Sequence, residues 1–114
     1  MCKTLKIVNQ TKNGILLYCT YNNIYHLLFN NLNFNFTKVE FKSFSAYVKN
    51  TDTEFWEREY KNSIFTKRIP IPTIQSNLLI LLDKVEVKEL KHLVSEDNHP
   101  FLKLMDIDYN IYLN

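Results

Sequence analysis

The chain is poor in the residues that make special loops and cross-links: its 114 residues include one glycine, three prolines and two cysteines. A lone glycine excludes the glycine-rich phosphate loops of P-loop and dinucleotide-binding proteins. Two cysteines do not make a disulfide framework, so Cys2 and Cys19 are predicted to be free thiols in a reducing compartment, with Cys19 buried in a strand.

Long hydrophobic runs are also missing. The longest apolar run, Leu78 to Leu82, is too short to span a bilayer. The polar N-terminus, Met1 to Lys6, lacks the apolar stretch of a signal peptide. We therefore expect a cytoplasmic protein without a membrane segment, and we interpret the Asn-x-Thr sequons at Asn9 and Asn35 as chance matches.

The composition that remains is that of a folded domain. With 46% hydrophobic and 14% aromatic residues, the chain is far from a disordered profile. Its length fits one domain, taken as residues 1–114. The net charge of only +2 does not by itself imply nucleic acid or a membrane surface as a partner.

The first third of the chain has strand character. Turn signals at Asn13-Gly14, Asn22-Asn23 and Asn30-Asn31 separate the predicted strands, because Asn and Gly accept positive φ at low cost. The predicted strands are residues 5–11, 15–21, 24–29 and 31–36. In the last of these, Leu32, Phe34 and Phe36 alternate with asparagines, which predicts one core face and one polar face.

Helices follow at two similar junctions. Thr37 with Glu40, and Asp83 with Glu86, have the spacing of a capping box. The first helix is predicted to bury Phe41, Phe44, Tyr47 and Val48, and the second Val87, Leu90, Leu93 and Val94. Residues 52–61 predict a short third helix.

Between the helices, strand composition returns at residues 64–74 and 78–82. Pro70 and Pro72 lie two apart, so their missing N–H groups fall on one side, which predicts an edge strand.

An internal repeat is the most specific signal in the sequence. Residues 31–48 align without gaps to residues 77–94 at an offset of 46, and seven of the eighteen positions are identical. Either the chain is a duplication, with halves of about 14–50 and 60–96 and a tail of 97–114, or two strand-to-helix junctions have converged on one pattern. Both alternatives place two helices on one face of a shared antiparallel sheet.

The halves differ at one informative place. Asn33 and Asn35 align with Leu79 and Leu81, so the second copy is apolar on both faces. Apolar surface of this kind needs a cover. The C-terminal tail and a second subunit are the two candidates.

The sequence contains no recognisable catalytic, metal or cofactor signature. Cys19 and His26 form a nucleophile–base pair only in a formal sense, because no orienting third group accompanies them. The histidines lack ligand spacing for zinc. Asp106 to Asn110 resembles the opening of a calcium loop but lacks its glycine and glutamate. We expect no metal and no cofactor, and the question of an enzyme stays open, with the missing signature favouring a non-catalytic protein.

Two exposed surfaces are candidates for binding. Leu79, Leu81, Phe55 and Trp56 are predicted to contact a protein partner or a second copy. A weaker candidate for single-stranded nucleic acid combines cations and aromatics: Lys67, Arg68, Tyr60 and Phe65.

Several segments also carry a resemblance. Met1 to Thr4, Thr11 to Gly14, and Tyr25 to Leu32 with Glu40 following resemble short uncharacterised proteins of Bacteroidetes, grouped as a domain of unknown function. The resemblance spans most of the chain, rests on turns, strands and a cap, and implies no activity and no functional residues.

The sequence therefore predicts an α+β domain with an antiparallel sheet of about five or six strands and two main helices on one face. The predicted function is a non-catalytic protein-interaction or self-associating accessory role, and a homodimer is one predicted form of it. Weak binding of single-stranded nucleic acid is the alternative, and an enzyme with an unfamiliar site around Cys19 and His26 is the third.

Overall fold

The computed structural model describes residues 5–95 of the chain, and this part contains six strands and three helices. The strands are β1 (Leu5–Thr11), β2 (Gly14–Cys19), β3 (Ile24–Phe29), β4 (Leu32–Thr37), β5 (Ile69–Pro72) and β6 (Leu79–Leu82). The helices are α1 (Lys38–Lys49), α2 (Thr53–Glu59) and α3 (Lys84–Leu93). The α+β class is thereby confirmed.

The first four strands form an antiparallel meander in the order β1-β2-β3-β4. Asn30 supplies positive φ in the β3–β4 turn, and Asn23 does so before β3. The strand predicted to reach Tyr21 ends at Cys19, and Tyr21 lies exposed in the turn that follows.

The sole glycine serves packing rather than turn geometry. Lys12 and Asn13 form the first turn, whereas Gly14 begins β2 and its φ is not positive. A Cβ at Gly14 would lie 2.7 Å from the backbone oxygen of Leu28 and 2.7 Å from Cδ2 of Leu93. The absent side chain is what lets α3 approach the sheet at this point.

The prediction of one sheet with five or six strands is wrong, because the strands divide into two sheets. β5 and β6 form a separate antiparallel ribbon. Pro70 and Pro72 leave β5 only one edge that can pair, so the prediction of an edge strand is confirmed. Only residues 69–72 of the predicted 64–74 are in a strand.

Both predicted capping boxes are present. The side chains of Thr37 and Asp83 accept from the backbone N–H groups of Glu40 and Glu86, whose carboxylates bind the backbone of the capping residue in return. Asp52 caps α2 in a simpler way, accepting from the N–H of Phe55. The strands that precede the two boxed helices lie in different sheets, and the duplication itself stays a prediction.

The main core lies between the four-stranded sheet, α1, α3 and the ribbon. Phe41 and Val48 of α1, Val87 of α3 and Ile71 of the ribbon share one buried cluster with Leu27 of β3. A second cluster, containing Leu17 and Cys19 of β2, lies on the other face of the sheet. Tyr47 is an exception to the predicted helix stripe, since 41% of it is exposed.

Candidate functional site

An open groove of about 510 Å³ lies along the outer face of the β5–β6 ribbon. It is bounded by the ribbon, by α1 and α2, and by the segment that joins α2 to β5. We call it the aromatic groove, and three sets of side chains line it.

Cross-strand pairs form the ribbon wall. Pro70 pairs with Leu81 and Pro72 pairs with Leu79, so these four side chains lie on one face of the ribbon. The alternate residues of β5, Ile69 and Ile71, are buried on the opposite face. Leu79 is 59% exposed and Leu81 is 40% exposed, so this wall is open apolar surface. The cover predicted from the tail, residues 97–114, lies outside the described residues and stays a prediction.

Aromatic rings form the opposite wall. The rings of Trp56 and Tyr60 are stacked, with centroids 5.7 Å apart and planes within 3°. Tyr47 of α1 and Phe65 of the connecting segment line the same groove. Phe55 is not part of the lining, but its ring meets Trp56 edge-on at 5.1 Å.

Two cations stand among the lining residues, each with a carboxylate partner. Lys67 Nζ lies 2.9 Å from Glu86 Oε2, and Arg68 Nη1 lies 3.4 Å from Glu57 Oε2. The hydrogen bond from Lys67 to Glu86, followed by their charge attraction, raises the pKa of Lys67 above 10.5. The positive charges are therefore largely compensated at the groove.

The groove brings together residues that the sequence placed on two separate surfaces. Leu79, Leu81 and Trp56 of the predicted protein-binding surface line it with the whole predicted nucleic-acid set, which is Tyr60, Phe65, Lys67 and Arg68. Sequence reasoning missed Tyr47, Pro70 and Pro72 as lining residues. The spacing of the prolines identified the edge strand, but their register against Leu79 and Leu81 exists only in the folded ribbon.

The formal pair of Cys19 and His26 does not provide a nucleophile. Cys19 is fully buried and disulfide-bonded, so the prediction of a free thiol is wrong for this residue. A bonded sulfur has no thiolate to offer. His26 Nδ1 lies 2.6 Å from Asn35 Oδ1, its cross-strand neighbour. The bonded cysteine also removes the argument that free thiols indicated a reducing compartment.

The structure also bears on metal binding, membrane spans and the sequon at Asn9. Among residues 5–95, no group of three or more His, Cys, Asp or Glu side chains could hold a metal ion. His99 and the segment Asp106 to Asn110 lie outside those residues. None of the three helices described is long and apolar enough to cross a membrane. The sequon at Asn9 involves a buried side chain that is already hydrogen-bonded within the fold.

Comparison with known proteins places the chain in a family but gives it no activity. No curated protein and no solved structure matches the chain significantly. The profile of a family of unknown function, DUF6686, matches residues 1–114. That match confirms the resemblance to an uncharacterised family, while the Bacteroidetes source stays a prediction. Because the match covers residues 1–114, the chain belongs to the family of unknown function DUF6686.

Proposed function

We propose that the chain is a non-catalytic protein-interaction domain that uses the aromatic groove to bind another polypeptide. The single observation that supports this most is the convergence of exposed apolar side chains from the ribbon, α1, α2 and the connecting segment on one concave surface. Contiguous apolar patches on soluble proteins mark interaction sites more often than scattered apolar residues do.

The composition of the groove suits a protein ligand. Trp, Tyr and Arg are the residues most enriched among binding hot spots, and the groove holds Trp56, Tyr60 and Arg68 beside Leu79 and Leu81. Each of the two cations at the groove has a carboxylate partner in the same chain, so a ligand would not leave an unpaired cation buried.

The occupant we propose is a second copy of the chain. A two-fold interface must be complementary to itself, and the apolar walls of this groove can meet their own copies because both lining cations already have carboxylate partners in the same chain. The net charge of +2 on each copy opposes association only weakly. A heterologous partner and a location in the cytoplasm stay predictions.

Binding of single-stranded nucleic acid is the alternative function. Tyr60 and Phe65 lie in the same groove as Lys67 and Arg68, as base stacking beside phosphate contacts would require. Two features oppose it: both cations already have carboxylate partners, and one face of Tyr60 is stacked on Trp56. Loss of binding to a mixed oligonucleotide pool with rising salt would favour this alternative.

The sole tryptophan of the chain, Trp56, lines the groove and reports its occupancy without a label. We expect the mass from light scattering and a blue shift of Trp56 emission to rise together with protein concentration. Leu81→Asp places a charge on the ribbon wall, and we expect it to weaken self-association at least about tenfold, equivalent to about 1.4 kcal/mol.

Val85→Asp is the matched control. Val85 is 75% exposed on the first turn of α3 and does not line the groove. It should associate like the parent chain. A strict monomer at high concentration, with Leu81→Asp soluble and as stable as the parent, would contradict the proposal of a second copy.

A further inference from the structure

The outer edge of β4 is an open sheet edge. β4 ends the four-stranded sheet and pairs with β3 alone. The two-residue turn at Asn30-Asn31 closes on the pair Phe29 and Leu32. Hydrogen bonding alternates along an antiparallel pair, so Leu32, Phe34 and Phe36 direct their backbone groups to β3.

The intervening residues direct their backbone groups outward. Asn33 and Asn35 each present one N–H and one C=O on the free side of β4, and nothing within residues 5–95 hydrogen-bonds to these four groups. The next outward N–H, that of Thr37, is taken by the carboxylate of Glu40 at 2.9 Å. The open stretch is therefore short and well defined.

Two other sheet edges, those of β1 and β5, carry features that block pairing. β1 has Lys6 and a bulge between Ile7 and Asn9. β5 has Pro70 and Pro72. Charged residues, bulges and prolines are the usual means by which natural proteins prevent edge pairing. β4, with the sequence Leu-Asn-Phe-Asn-Phe-Thr, has none of them.

A groove of about 280 Å³ runs beside this edge. Its far wall comes from residues 73–80, including Ile74, Leu78 and Ile80, and none of its lining residues is charged. If the β4 edge of a second copy paired here, that copy would bring its own residues 73–80 against this wall. A single extended chain meets no such obstruction, and neighbouring strands need a separation of only about 4.8 Å.

We propose that the outer edge of β4 binds an extended, uncharged segment of a partner protein by strand addition. The segment exchanges up to four backbone hydrogen bonds with Asn33 and Asn35. Side chains on one of its faces lie with Phe34 and Phe36, and those on the other lie with the asparagines, so alternating apolar and polar residues fit. This surface is separate from the aromatic groove and does not depend on its function.

The test uses amide exchange measured by NMR on the full chain. The probe is a blocked seven-residue peptide of alternating Thr and Val. Its control is the same peptide with every backbone amide N-methylated, so that neither of its edges can donate. We expect the probe to slow exchange at Asn33 and Asn35 at least tenfold, and the methylated peptide to leave it unchanged.

Asn33→Pro removes one outward N–H without touching the ladder to β3, and we expect probe binding to weaken at least tenfold. Asn33→Thr keeps the N–H and should bind like the parent. If the proline variant does not fold, Asn33→Lys adds a charge to the edge and should also weaken binding.

Three results would overturn the proposal. Protection of both amides in the dilute, isolated chain would mean that another part of the chain already occupies the edge. Protection that rises with protein concentration would identify a second copy as the occupant. Equal effects of the two peptides, or no effect of either, would exclude strand addition.

Discussion

We expect replacement of Asn9 to lower the free energy of unfolding substantially, although no sequence pattern identifies this residue as structural. Asn9 is only 1% exposed and lies at the bulge of β1. Its Nδ2 donates to the carbonyl oxygens of His92 at 2.6 Å and Ser95 at 3.2 Å, and its Oδ1 accepts from the N–H of Gln10 at 2.9 Å. One side chain thus binds the end of α3 to the first strand.

The expected loss in free energy of unfolding follows from these hydrogen bonds. His92 O also accepts from the N–H of Ser95, so it keeps a partner when Asn9 is lost, whereas Ser95 O loses the donor it has here. Leaving a buried polar group unsatisfied costs about 1–3 kcal/mol, and each further hydrogen bond contributes about 1 kcal/mol. We expect Asn9→Ala to cost about 3 kcal/mol, which lowers Tm by about 12 °C in a chain of this size.

Asn9→Asp makes the test sharper, because it keeps the shape but replaces a donor with a carboxylate oxygen that faces carbonyl oxygens. Burial and that repulsion raise the pKa of the introduced carboxyl above its unfolded value of about 3.9. Below this pH the acid is protonated in both states and the extra penalty is absent. As pH rises through the interval between the unfolded and folded pKa values, the penalty grows by about 1.4 kcal/mol per unit.

Urea unfolding of both variants at pH 3.5 and pH 7 measures these quantities, with Asn22→Asp in an exposed turn as the control. Losses below about 0.5 kcal/mol for Asn9→Ala would refute the reasoning. So would an equal pH dependence for Asn9→Asp and Asn22→Asp.

Two further substitutions test other contacts of α3. Gly14→Ala should cost about 1–3 kcal/mol in urea unfolding, because the Leu28 oxygen it would meet is backbone and cannot rotate away; an unchanged midpoint would contradict this. Burial tends to raise the pKa of Glu89, but hydrogen bonds from Thr11 and Asn13 outweigh it, so the pKa lies below 4.5. Stability from this carboxylate is therefore complete above about pH 4.5 and is lost as pH falls through the lower folded value. Glu89→Gln should flatten the acid limb of the stability curve, and an identical limb would show that Glu89 is not responsible for it.

Local elements were predictable from the sequence. Turn asparagines, period-2 alternation in β4 and two capping boxes depend on neighbours within four residues, and the sequence contains that information. The division into two sheets was not predictable, because it depends on whether β6 pairs with β4 across 40 or more intervening residues. Gly14 was assigned to a turn because glycine favours turns, whereas its role is set by Leu93, which is remote in sequence.

The candidate site shows the same division. Exposure of Leu79 and Leu81 was expected from their comparison with Asn33 and Asn35, and both lie in the aromatic groove. The sequence could not show that Lys67 and Arg68 lie in the same groove, each with a carboxylate partner. These contacts form only in the folded chain. Cys19 was misinterpreted because a cysteine count carries no information on which sulfurs meet.

The hydrogen bonds between the β1–β2 hairpin and the α3 region also affect how the chain folds during synthesis. Asn9 and Thr11 find their partners 78 to 86 residues later, at Glu89, His92 and Ser95. A ribosome therefore releases the N-terminal hairpin long before the helix that completes its packing exists. Loop closure over that distance has to precede the stabilising contacts, so folding should be slow for a protein this small. The exposed hairpin makes this interval the period of greatest risk of aggregation.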